Sequence, residues 1–235
     1  MTSTSRREFL SAAAATLALG GGVEVAAAEE RSAETSAHGA AFDDQVKPVP
    51  LPFDPKSLVG LSTKLIQSHW ENNYGGAVKA LNAIRSRLAL TLSDAASPPY
   101  IYTALKREQL VRTGSVVLHE YYFGNLGGSG KVSADMRSKI AGSFGSFDTW
   151  ESEFRKIGQG LSGGSGWVML GFNRRLKLLE NYSMSDHSTG PIDTSPVLVM
   201  DMYEHAYQMD YGAAAAKYID AFFANINWET VASRL

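Results

Sequence analysis

The segment at residues 201–205 constrains this chain most, because it places two acidic residues and a histidine at the end of an apolar run that is expected to form a strand. It reads Asp-Met-Tyr-Glu-His and follows the apolar run at residues 196–200. This order predicts a metal site at the point where a strand passes into a helix. Two further histidines, His69 and His119, lie in aromatic, helix-like surroundings. Three imidazoles and one carboxylate are a suitable ligand set for a redox metal such as iron or manganese.

Composition excludes several classes of function. The chain has 235 residues, 44% of them hydrophobic and 20% charged, which is typical of a globular protein with a sizeable core. Its net charge of -2 gives no reason to expect nucleic acid or an anionic membrane surface as a partner. Cysteine is absent. Disulfides, thiolate catalysis and cysteine-bound zinc or iron–sulfur clusters are therefore excluded.

The amino-terminal residues resemble a twin-arginine export signal. An Arg-Arg pair at residues 6–7 precedes a weakly apolar Ala/Leu/Gly run, which ends in an Ala-Ala-Ala cleavage motif at residues 26–28. The apolar run is too short and too rich in Ala and Gly to span a membrane. We therefore expect a signal peptide over residues 1–28 and a periplasmic or secreted protein. The alternative is an accidental arginine pair in a flexible tail. Residues 29–50 are predicted to be a linker.

The first part of the folded chain has a helical pattern. Apolar residues recur at helical spacing from residues 54 to 88, and Gly75-Gly76 predicts a kink within that helix. A proline pair then breaks the chain, and a second helix is predicted over about residues 102–126. Together they predict an antiparallel helical hairpin domain over residues 51–129.

The second part, residues 130–235, mixes helices with strands. Its predicted elements are helices at about 133–143 and 147–161, strands at 167–172, 176–182 and 196–201, and helical residues around 214–234. Helices followed by a small three-stranded antiparallel sheet with flanking helices predict an α+β fold.

Four motifs resemble the iron/manganese superoxide dismutase family over roughly residues 51–235. They occur in the family's order and spacing. They are Ser68-His69-Trp70 with Ala80-Leu81-Asn82, residues 118–123 (Leu-His-Glu-Tyr-Tyr-Phe), Gly164-Ser165-Gly166-Trp167, and residues 201–207 (Asp-Met-Tyr-Glu-His-Ala-Tyr). The last is similar to the family pattern D-x-W-E-H-A-x-Y, with Tyr203 where tryptophan is usual.

The resemblance implies a mononuclear centre with one iron or manganese ion per subunit. Its protein ligands would be His69, His119, Asp201 and His205, and water or hydroxide would be the fifth ligand. The implied reaction converts superoxide to dioxygen and hydrogen peroxide. Each residue also has an ordinary alternative, since a lone histidine is often a satisfied core residue and Asp201 could be a helix N-cap.

Residues around the implied centre depart from the family pattern. The family usually has a histidine four residues after its first ligand and a tyrosine eight residues after, where this chain has Asn73 and Ala77. At about 100° per residue both share a helix face with His69, whereas Tyr74 is expected to point elsewhere. The tryptophan expected four residues after the second histidine ligand is Phe123.

The resemblance also implies roles outside the ligand set. The family places a glutamine against the metal-bound solvent, from a position that is Ser115 here or from the region of His187. His187 is the candidate outer-sphere donor to the bound solvent, and its alternative is an exposed loop residue. Glu204 would bridge to a ligand histidine of a second subunit, which implies a homodimer. Its alternative is an exposed acidic residue at a helix start.

Three functions remain open from the sequence. The first is an exported antioxidant superoxide dismutase. The second is a metal-binding dismutase-like protein with weak or no turnover, acting in metal handling or envelope interaction, as suggested by Asn73, Ala77 and Phe123. The third is a different redox reaction on a larger substrate. Iron versus manganese and dimer versus tetramer are not decided by the sequence.

Overall fold

The computed structural model describes residues 38–235, so the predicted signal peptide lies outside the described residues. Over this range the chain forms α-helices, strands and three short helical segments that are not α-helical, Pro55–Ser57, His69–Tyr74 and Glu204–Ala206. The α-helices are α1 (Ala40–Asp43), α2 (Thr63–Ser68), α3 (Gly75–Ser93), α4 (Pro99–Gly124), α5 (Ala134–Phe144), α6 (Phe147–Gly160), α7 (Gln208–Tyr211), α8 (Ala215–Ala224) and α9 (Trp228–Ala232). The strands are β1 (Trp167–Asn173), β2 (Leu178–Met184) and β3 (Thr194–Asp201). No helix between residues 38 and 235 has the length and apolar character needed to cross a bilayer.

The first predicted helix is divided into several pieces. Asp54 does accept a hydrogen bond from the Lys56 amide, but this cap closes only a short 3-10 turn, Pro55–Ser57. Gly60 then adopts a φ of +77°, a conformation that ends helical structure and that favours glycine. Helix α2 begins only at Thr63, where the Ser62 hydroxyl caps it by accepting from the Leu65 amide.

A π-helical segment, His69–Tyr74, joins α2 to α3. The irregularity therefore precedes the Gly75-Gly76 pair at which a kink was predicted. A π-helix bonds i to i+5 and so changes which side chains share a face. Tyr74 is accordingly buried, with its ring 6.3 Å from that of His119 and its hydroxyl donating to Glu120 at 2.8 Å. The expectation that Tyr74 points away from the candidate ligands was wrong, because it assumed an unbroken α-helix.

The sheet has the strand order β2-β1-β3, and both pairs are antiparallel. This arrangement after a helical amino-terminal region confirms the α+β prediction. Strand β3 is buried from Val197 to Asp201, and its register places Asp201 opposite Trp167 at the start of β1. The sheet thereby brings the carboxylate of Asp201 to the end of the buried strand, facing the helical part of the fold.

The described part of the predicted linker is held against α3. The Asn82 side chain forms hydrogen bonds of 2.9 Å with both the amide and the carbonyl of Val46. The Val49 amide donates to the Tyr74 hydroxyl at 2.7 Å, and the Trp70 indole donates to the Val49 carbonyl at 3.1 Å. Backbone groups of Val46 and Val49 in the predicted linker are thus paired with side chains of the helical region.

Candidate metal centre

Three regions that are distant along the chain bring the candidate ligands together. His69 is the first residue of the π-helix, His119 lies in the last third of α4, and Asp201 ends β3. His205 lies in a short 3-10 helix, Glu204–Ala206, directly after that strand. One potential ligand atom from each residue lies within 4.8 Å of all the others. The structure therefore assembles the four residues that the sequence singled out.

The distances from the Asp201 carboxylate to the three imidazoles are close to those of ligands that share one first-row metal ion. The Asp201 Oδ2 atom lies 3.1 Å from His69 Nε2, 3.7 Å from His119 Nε2 and 3.2 Å from His205 Nε2. Ligands at about 2.1 Å from a common ion, separated by angles of about 90–120°, are about 3.0–3.6 Å apart. His69, His119 and Asp201 are buried, whereas the His205 side chain is 26% exposed. The group is thus closed on one side and accessible on the other.

The orientation of His119 supports metal binding. Its Nδ1 atom lies 2.7 Å from the Ser115 carbonyl oxygen, which can only accept, so Nδ1 carries the proton. The Nε2 lone pair is then left for the ligand cluster. That atom is buried and has no hydrogen-bond partner within the described residues. A buried, unpartnered nitrogen whose opposite ring nitrogen donates to a carbonyl is the arrangement of a metal-binding histidine.

The protonation states also suit a metal. Burial lowers the pKa of His119 to about 3 and lowers the pKa of His69, so both rings are neutral at neutral pH. Burial alone would raise the pKa of Asp201. The charge of His205 and hydrogen bonds from His205 and His69 outweigh that effect and hold the pKa of Asp201 below its ordinary value. Neutral imidazoles beside an ionised carboxylate are the forms that bind a divalent or trivalent ion.

His187 lies beside this group in a fixed tautomer. The Trp167 indole donates to His187 Nδ1 at 3.0 Å, so the ring proton is on Nε2, which is left as a donor. The His187 ring stacks on Tyr203 at 4.8 Å, and Tyr203 stacks on His205 at 5.3 Å. His187 is half-buried and burial lowers its pKa. These contacts disagree with the alternative of a merely exposed loop residue.

A polar pocket leads from the surface to the candidate ligands. It has a volume of about 280 Å³ and is lined by Asn72, Asn73, Gly76, Ala77, Arg112, Ser115, His119, His187 and His205. The predicted departures Asn73 and Ala77 do line it. Phe123 is buried, with its ring 5.0 Å from that of His69. The Glu204 side chain is exposed in the single chain.

Sequence reasoning missed Arg112 and Asn72, which also line the pocket. A signal for Arg112 was present, because it precedes His119 by seven residues, or about two helical turns, and so shares its face of α4. A signal for Asn72 was also present, because it follows His69 by three residues, and residues three apart share a helix face.

Comparison with known proteins adds independent evidence. The family model for "Iron/manganese superoxide dismutases, C-terminal domain" matches residues 132–234. The chain is 50% identical over 185 residues to "Superoxide dismutase [Fe]" of Cupriavidus metallidurans, covering 79% of this chain and 93% of that protein. It is 36% identical over 190 residues to "Superoxide dismutase [Fe]" of Aquifex pyrophilus, covering 77% and 86% respectively. It is 28% identical over 188 residues to "Superoxide dismutase [Mn] 2" of Halobacterium salinarum, covering 78% and 91%. With this similarity along both the helical and the sheet-containing parts, the chain belongs to the iron/manganese superoxide dismutase family.

Proposed function

We propose that this protein is a superoxide dismutase that converts superoxide to dioxygen and hydrogen peroxide at one iron or manganese ion. The observation that carries the proposal is the convergence of His69, His119, Asp201 and His205 within 4.8 Å, with the buried His119 Nε2 left without a protein partner. Relatives named as iron and as manganese superoxide dismutases support the reaction and both metals.

The reaction divides between the metal and the chain. A bound iron or manganese ion would supply a trivalent/divalent couple, which could take an electron from one superoxide and give it to a second that leaves as hydrogen peroxide with two protons from solvent. The chain keeps its buried imidazoles neutral and its carboxylate ionised, which suits both oxidation states. The pocket gives a small anion access to the open side of the group. His187 offers an N–H donor from Nε2 beside it, because Trp167 occupies Nδ1.

The experiment is superoxide removal by the purified protein loaded with iron and, separately, with manganese. We expect a rate per metal ion well above that of the free ion. Asp201→Asn is the control, because an amide keeps the shape of the carboxylate but lacks the charge that binds the metal, and it should lose both metal and activity. A rate no greater than that of the free ion in the fully loaded protein rejects the proposal.

A second candidate function is a metal-binding protein with weak turnover, in metal handling or envelope interaction. It is favoured by one specific observation, that Asn73 and Ala77 line the pocket where the family usually has histidine and tyrosine. The double variant Asn73→His/Ala77→Tyr distinguishes the two functions. A large gain from nearly no activity supports weak turnover in the native protein, whereas fast native turnover excludes it.

Two further proposals concern assembly and location. Glu204 is exposed beside the partly exposed His205, which supports a homodimer in which Glu204 reaches the partner's ligand histidine. Light scattering of the native protein and of Glu204→Ala tests this, with a monomeric variant expected. Export is supported only by the sequence at residues 6–7 and 26–28. Replacing both arginines with lysine should keep the protein in the cytoplasm.

A further inference from the structure

Arg112 occupies an unusual position in the pocket above the candidate metal centre. It lies on α4, on the same face as Ser115 and His119, and lines the pocket with them. Its side chain is 39% exposed, yet its Nε atom is buried and has no hydrogen-bond acceptor within the described residues. An anion from solution can reach the exposed part of this side chain, and the unpaired Nε–H shows that no acceptor in the described part of the chain satisfies the guanidinium fully.

Arg112 also dominates the charge of this pocket. The other polar groups that line it are amides, a hydroxyl and imidazoles, so Arg112 supplies the permanent positive charge. Its nearest carboxylate is that of Glu108, 3.3 Å from Arg112 Nη2 and one helical turn away. Glu108 is 51% exposed, so solvent screens this pair and leaves part of the guanidinium charge uncompensated.

We propose that Arg112, together with the Asn73 amide, forms a binding subsite for superoxide between the pocket mouth and the metal centre; the Asn72 amide donates instead to Ser68. A diatomic monoanion offers little shape and few contacts, so its charge is the property that a site can recognise. Ala77 leaves space for this subsite, because its methyl group lines the pocket where a larger side chain would fill it. This inference rests on the proposed function for the identity of the anion.

The alternative is that Arg112 serves only as the helical partner of Glu108. Two variants separate the readings. Arg112→Ala removes the proposed subsite, whereas Arg107→Ala removes the same charge from the same helix at an exposed position that does not line the pocket. Glu108→Gln acts in the opposite direction, since it frees Arg112 from its carboxylate.

The experiment uses the iron-loaded protein with equal metal content in every variant. Azide, a small monoanion, is titrated by visible absorption, and kcat/KM for superoxide is measured against ionic strength. For Arg112→Ala we expect about five- to tenfold weaker azide binding, a similar fall in kcat/KM at low salt and a flatter salt dependence. Arg107→Ala should match the wild type, and Glu108→Gln should bind azide about twofold more tightly.

The outcomes separate this inference from the proposed function. If Arg112→Ala and Arg107→Ala give the same azide affinity and the same salt dependence, the subsite is overturned while the dismutase function stands. If the wild type binds azide through Arg112 but removes no superoxide, the anion subsite stands and the proposed function fails. A loss of iron from Arg112→Ala would also contradict the inference, because it would show a structural role for this side chain.

Discussion

Replacing Gly114 with alanine should displace His187. Gly114 lies within α4, and a methyl group there would overlap the His187 carbonyl oxygen and lie 2.8 Å from the carbonyl carbon. Backbone atoms cannot rotate away as the end of a side chain can, so the loop itself must move. The hydrogen bond between Trp167 Nε1 and His187 Nδ1 would then be lost or distorted.

The expected loss of stability in Gly114→Ala is measured against Gly142→Ala. Gly142 is an exposed residue of α5, and a methyl group there would meet no atom within 4 Å. Helix propensity alone should raise the free energy of unfolding of either variant by about 0.5–1 kcal/mol. The steric overlap at Gly114 should lower the free energy of unfolding of Gly114→Ala by about 1–3 kcal/mol. The two variants should therefore differ by about 1–3 kcal/mol, or roughly 2–12 °C in melting temperature for a chain of this size.

The assay combines urea unfolding with superoxide removal, each at equal metal content. Loss of an outer-sphere donor should lower the rate of Gly114→Ala about tenfold or more. Gly142→Ala should keep the native rate. If Gly114→Ala is stabilised as much as Gly142→Ala and retains full activity, the reasoning is refuted, because neither the overlap nor the position of His187 would then matter.

Three further outcomes are expected. The metal-free protein should lose about 2 kcal/mol of stability between pH 7.5 and 5, measured by urea unfolding. The pKa of His119 is about 3 in the folded protein and 6.5 in the unfolded chain, so lowering the pH protonates the unfolded chain first and stabilises it. Equal stability at both pH values would contradict a buried neutral ring. Tyr74→Phe should cost about 1–2 kcal/mol and speed hydrogen exchange at the Val49 amide, which loses its acceptor. Trp167→Phe should retain the metal but lower activity, because without the indole donor to Nδ1 the His187 ring proton is no longer held on Nε2. Unchanged activity would count against that role of Trp167.

Much of the fold was predictable because its signals are local. Helical spacing and the proline break before α4 identified the second helix, and short apolar runs identified the three strands, within a few residues, whereas the first helical region begins about nine residues later than predicted. The candidate ligands were predictable because histidine and aspartate in these motifs resemble one family, and the structure does bring them together. The bounds proposed for the signal peptide and linker stay predictions, although residues 38–50 are held by Asn82 and Tyr74.

Other features depended on the irregular parts of the backbone. A constant 100° per residue misplaced Tyr74, because the π-helical segment changes the phase of the helix after His69. Asn72, by contrast, is on the pocket where an α-helical count would put it, because residues three apart share a helix face. Single-residue changes in backbone pitch have no clear sequence signature, so only the folded structure could reveal them.

The amino-acid sequence by itself determined which side chains are available as ligands and which segments become helix or strand. The tertiary structure alone decided that Arg112 and His187 line one pocket, and that Gly114 lets the His187 backbone approach α4 closely. The spacing of apolar residues in the sequence indicates only the local structure of residues that are close along the chain. A pocket, in contrast, is formed by packing between elements that are distant in sequence, so its shape and charge exist only after the helices and the sheet have come together.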